Sequence, residues 1–109
     1  MIKAKDLLEK INKIKQIKEG NIFRDFTYIS DLGLDYFKDK DIVFQDEVKA
    51  SNNRILTVLV TFKQNWGFRI HKVYNHKTVN SSARPVQSKS LAIKKAKNEL
   101  DDFLDTEEN

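Results

Sequence analysis

The clearest regularity in the chain is a period of two between residues 54 and 75. In RILTVLVTFK, residues 54–63, a strand places Leu56, Val58, Val60 and Phe62 on one face. Ile55, Thr57, Leu59 and Thr61 fall on the other. Gln64-Asn65 turns the chain into WGFRIHKVYN, residues 66–75, and completes a hairpin. There Trp66, Phe68, Ile70, Lys72 and Tyr74 are expected to face a core, and Gly67, Arg69, His71, Val73 and Asn75 to face outward. Two further strands are predicted upstream, at residues 22–30 (IFRDFTYIS) and 42–50 (IVFQDEVKA). The second ends at the turn sequence Ser51-Asn52-Asn53. Residues 31–41 read as a polar loop around a short amphipathic turn at 34–37. Residues 76–87 have no periodicity and hold the only proline, which predicts a loop with a short edge strand near Val86.

Helical spacing marks the two ends. Ala4, Leu7, Leu8, Ile11, Ile14 and Ile17 share one stripe over residues 2–19, and Gly20-Asn21 supplies a stop. Ser88 or Ser90 caps a last helix running to about residue 104, with its stripe at Ala92/Ile93, Ala96, Leu100 and Phe103/Leu104. Residues 105–109 are expected to fray as an acidic end. The order α-β-β-β-β-α predicts a single α+β domain over residues 1–104, an antiparallel sheet packed by N- and C-terminal helices.

Length and composition fit one folded domain: 109 residues, 39% apolar, 33% charged, with 11 aromatics. No apolar run approaches the ~20 residues that cross a bilayer, so no membrane role is expected. The N-terminal residues lack a signal-peptide core, and a cytoplasmic location is expected. There is no cysteine, hence no disulfide framework, thiolate site or cysteine nucleophile.

Charge changes the picture. Residues 1–47 carry nine bases and ten acids, residues 48–98 eleven bases and no acid, and residues 99–109 six acids and no base. Clustered cations of this kind are the footprint of a polyanion partner, DNA or RNA, because each neutralised phosphate releases counterions. The candidate backbone contacts are Arg54, Lys63, Arg69 and His71 on the hairpin and Lys77 and Arg84 on the following loop. Lys89, Lys94, Lys95 and Lys97 on the last helix complete the set. That helix carries its bases first and its acids last, opposite to the dipole preference. A phosphate at its N-terminal end would compensate.

The aromatics of residues 66–74 interleave with Arg69, His71 and Lys72. Their alternation assigns them to the core, apart from Trp66, which sits beside a turn and is placed to reach the rim. His71 and His76 have no ligand-like spacing to an acid, and neither a phosphate loop nor a dinucleotide fingerprint is present, so no metal or cofactor is expected.

One catalytic pattern stands against this. Asp35 followed by Glu47-Val48-Lys49, within LGLDYFKDKDIVFQDEVKA, resembles the core of the PD-(D/E)xK nucleases. The resemblance implies that Asp35 and Glu47 bind magnesium, that Lys49 orients the attacking water, and that Glu9 is a further acidic ligand. That family continues into a helix after the lysine, whereas residues 51–75 read as a hairpin. The sequence therefore points first to a small non-catalytic nucleic-acid-binding protein. The alternative is a protein-interaction module, with a phage or mobile-element inhibitor as one version, since the Lys-, Asn-, Ile- and Asp-rich composition is typical of AT-rich genomes. The nuclease comes third. No oligomeric state is implied.

Overall fold

The computed structural model describes residues 26–108. The predicted N-terminal helix lies outside them. Within them the chain forms β1 (Phe26–Ser30), a 3-10 turn (Gly33–Phe37), β2 (Asp41–Lys49), β3 (Ile55–Lys63), β4 (Gly67–Tyr74), β5 (Thr78–Ser82) and α1 (Lys89–Glu108). The five strands make one antiparallel sheet in the order β1-β5-β4-β3-β2. The architecture is α+β, with one helix at the C-terminal end of the described chain.

The expected hairpin is present in register, Val60 opposite Ile70 and Leu56 opposite Tyr74. Both faces of β3 are covered. On one, α1 lays Ala92, Ala96, Leu100 and Phe103 against Leu56, Val58, Val60 and Ile70. Those four helix positions recur every three or four residues, and the two alanines let the helix axis approach the sheet. Ser88 caps α1 by accepting a hydrogen bond from the Leu91 amide at 3.2 Å.

Three expectations need correction. The segment after Tyr74 is no loop: Asn75 and His76 both take positive φ, and the chain turns straight back into β5. β5 lies inside the sheet between β4 and β1, while Val86 makes only an isolated bridge to Phe68. Second, α1 runs on through the predicted fraying point. Glu108 accepts hydrogen bonds from the Ser51 amide and hydroxyl, both at 2.7 Å, and Glu107 accepts one from Asn52 at 2.8 Å. These acids at the "wrong" end of the helix tie down the β2–β3 turn, which offsets their unfavourable place in the dipole.

Third, the face of β4 expected to be outward is closed. β1 pairs with β5 at one edge and β2 with β3 at the other, so residues 31–40 must cross the sheet. They carry Phe37 and Tyr36 onto Leu59, Val73, Val79 and Ile29, forming a second, smaller core. Val73 and His71 are buried there.

Candidate nucleic-acid interface

One end of the sheet is built from three segments pressed together. Gly67 opens β4 at φ +128°, and a Cβ there would stand 3.0 Å from the Val86 carbonyl oxygen and 3.1 Å from Pro85 Cβ. Residues 85–87 therefore lie directly on it. The Phe68 and Val86 backbones exchange two hydrogen bonds of 2.8 Å, and Gln87 donates from Nε2 to the Trp66 carbonyl at 3.0 Å. Arg84 precedes this strap and Lys89, at the start of α1, follows it.

Beside the tip of the β3–β4 hairpin is a cavity of about 420 Å³ lined by Lys40, Lys63, Arg69 and Trp66, with Asp39 and Asp41 also on its wall. Arg69 is half-buried and held in place. Its Nε donates to the Ser82 carbonyl at 2.7 Å, and its guanidinium lies over the Trp66 ring, 5.6 Å from the centroid. Its two terminal nitrogens have no partner among the described residues. Trp66 is 37% exposed and Phe62 39%, both large apolar groups left at the surface beside cations. Trp66 thus stands at the rim, as its position next to the turn suggested.

His71 lines the same cavity from below but is only 1% exposed, so it is no outward contact. Both ring nitrogens are taken: Nε2 is hydrogen-bonded to Thr61 Oγ1 at 2.7 Å and Nδ1 to Ser81 Oγ at 2.6 Å. Burial, with Arg69 and Lys40 nearby, pushes its pKa down to about 3, so the ring is neutral at physiological pH. The reason the placement differs from expectation is the crossover, which covers a face that alternation alone leaves open.

The remaining candidates divide between the two ends of the sheet. Arg84 and Lys95 line a second cavity, of about 360 Å³, between the strap and α1, where Glu99 and Asp102 also stand. Lys94 is exposed on α1, and Lys97 lies over the Phe44 ring at 5.8 Å. Among the described residues no carboxylate pairs with Lys63, Arg69, Arg84, Lys89, Lys94 or Lys95. Arg54 and Lys77 belong to the opposite end, beside the β2–β3 and β4–β5 turns, and Arg54 is already 3.8 Å from Glu107.

No protein-family model, curated protein or solved structure matches this chain.

The residues of the nuclease resemblance are differently engaged. The Lys49 end of β2 leads through a turn into β3, and no helix follows. Glu47 accepts hydrogen bonds from Thr57 Oγ1 at 2.6 Å and pairs with His76 Nε2 at 2.9 Å. The Thr57 and His76 bonds hold the Glu47 carboxyl below the usual range. Among the described residues no group of three or more His, Asp or Glu is placed to hold a metal, and Glu9 lies outside them. Sequence reasoning missed Lys40, which only the crossover brings to the cavity, and the Thr57–Glu47–His76 cluster. For neither does the linear sequence carry a signal.

Among the described residues no helix is long and apolar enough to cross a membrane.

Proposed function

We propose that this protein is a non-catalytic nucleic-acid-binding protein that grips the phosphate backbone with one end of its sheet. The contacts are Lys63 and Arg69 on the hairpin, Arg84 on the strap, and Lys89, Lys94 and Lys95 on the first turns of α1. The observation that supports this reading is the grouping of those cations at one end with no acidic partners among the described residues. Asp39, Asp41, Glu99 and Asp102 stand near some of these cations without pairing with them, and Glu107 and Glu108 at the other end of α1 are bonded to a turn. Arg54 and Lys77 are left out of the interface because of their place in the fold.

Fluorescence anisotropy with labelled single- and double-stranded DNA and RNA tests the proposal. Neutralising about five phosphates weakens binding on the order of 10²- to 10³-fold between about 50 and 200 mM salt. Steep salt dependence of that kind supports the reading. Negligible binding to all four polymers overturns it and leaves a protein partner as the object of search.

A further inference from the structure

We infer that the 420 Å³ cavity at the hairpin tip is a subsite for one unpaired nucleotide, so that the polymer bound is single-stranded. The inference rests on the nucleic-acid reading above and narrows it.

Three features of the cavity are needed together. The first is an anion site fixed in advance. Arg69 is held at Nε by the Ser82 carbonyl and backed by the Trp66 ring, so its planar head loses little freedom on binding. Its terminal nitrogens present the paired donors that match two oxygens of one phosphate. Lys63, on the same wall, adds a second charge. The second feature is a stacking surface. Trp66 and Phe62 are each more than a third exposed at the cavity, although both are side chains that folding ordinarily hides. A base laid on an aromatic ring is favourable whatever its identity, and a base paired inside a duplex has no face free to reach one.

The third feature is polarity across the cavity. Lys63 and Arg69 come from the hairpin, whereas Asp39 and Asp41 come from the end of the crossover and the start of β2. Lys40, from the same segment, offsets one of these two charges, so that side stays net negative opposite a hairpin side that carries two cations. The carboxylates accept hydrogen bonds from donors on the base, a ring imide N–H or an exocyclic amino group, which favours a nucleotide entering with its phosphate toward the hairpin. The volume is of the right order for a single nucleotide and lies within the range typical of small-ligand sites. His71 closes the floor with both nitrogens occupied, so it shapes the cavity without contacting the ligand.

Trp66 is the only tryptophan, so its fluorescence reports this cavity and nothing else. The experiment titrates the full chain with a 12-nucleotide oligothymidylate and with a 12-base-pair duplex (lengths of about one OB-fold site size). Tryptophan emission and the anisotropy of a labelled strand are followed in parallel. The inference expects saturable quenching by the single strand and little by the duplex. Trp66→Ala should weaken single-strand binding roughly 5- to 150-fold, the range for one stacked base. Lys63→Gln, on the exposed rim, should weaken it without disturbing the fold, which provides a check if Trp66→Ala is poorly folded. Binding by anisotropy with no change in Trp66 emission, or equal quenching by the duplex, overturns the nucleotide subsite and leaves the nucleic-acid reading standing. Absence of binding in both signals overturns the reading itself.

Discussion

Phe37 meets the imidazole of His71 edge-on, with ring centroids 4.8 Å apart and planes at 70°. One residue belongs to the crossover and the other to the sheet's fourth strand, so this contact is where the second face is sealed. Phe37→Ala would leave a cavity over Leu59, Val73 and Val79 and admit water to the imidazole. A loss of about 3–5 kcal/mol is expected for an aromatic side chain this deeply buried. Chemical denaturation measures the loss, and NMR titration of the His71 ring should show its pKa rising toward 6.5.

The neutral His71 makes stability depend on pH at mildly acidic values. Its pKa is about 3 in the folded chain against 6.5 when unfolded. Below pH 6.5 the unfolded chain takes up a proton that the native ring refuses, so stability is complete above that value and falls as pH drops toward 3. Between about pH 7.5 and 5.5 the loss should be about 1.4 kcal/mol. Urea midpoints at those two pH values give the figure, and His71→Gln should abolish the dependence in that window. Glu47 and Glu108, both with lowered pKa, act in the same direction but only as pH falls through the carboxylate range.

Gly33 and Gly67 both take positive φ, with different consequences on substitution. A Cβ on Gly33 would stand 2.2 Å from the His76 carbonyl oxygen, a backbone atom that cannot yield cheaply. Gly33→Ala should therefore destabilise by about 2–4 kcal/mol, through strain and overpacking. Gly67→Ala meets the strap instead, and lifting residues 85–87 would separate Arg84 from the hairpin. Thermal unfolding with parallel binding assays distinguishes them: Gly33→Ala loses stability, while Gly67→Ala also loses affinity in the molecules that remain folded.

The two ends of the sheet should respond differently to charge reversal. Lys63→Glu, Arg84→Glu and Lys95→Glu together are expected to reduce nucleic-acid affinity by at least about 100-fold at low salt and to flatten its salt dependence. Arg54→Glu with Lys77→Glu makes a smaller change in charge, at residues beside other turns, and should alter affinity less than about tenfold. Equal effects from both sets would mean that net charge alone, and not its placement, attracts the polymer.

Much of this was legible because it is local. The β3–β4 hairpin follows from alternation between Ile55 and Tyr74, α1 from its alanine and leucine stripe, and its start from Ser88. β5 was hidden because TVNSS is polar. Its serines are buried only because partners elsewhere satisfy them, Ser81 on His71 and Ser82 on the Ile70 amide at 3.1 Å. The Asn75-His76 turn that launches it lacks the glycine that usually advertises such turns. The misplaced face of β4 has the same root. Once β5 enters the sheet, β1 has a partner far from β2, and only then must the chain cross over His71. For the site, the cations were visible as a run without acids, but their division between two ends depends on register, which the run does not encode.

The pairing of Phe26 with Ser82 joins the first described strand to the last. During synthesis β1 leaves the ribosome long before β5 exists, and its backbone donors and acceptors have no mate in the sheet until that strand follows. The crossover that seals Phe37 onto His71 waits on the same event, since β5 supplies part of the surface it covers. Nascent chains that stop short of residue 82 must carry an unmated edge and an open second face, the form in which this protein is most exposed to aggregation.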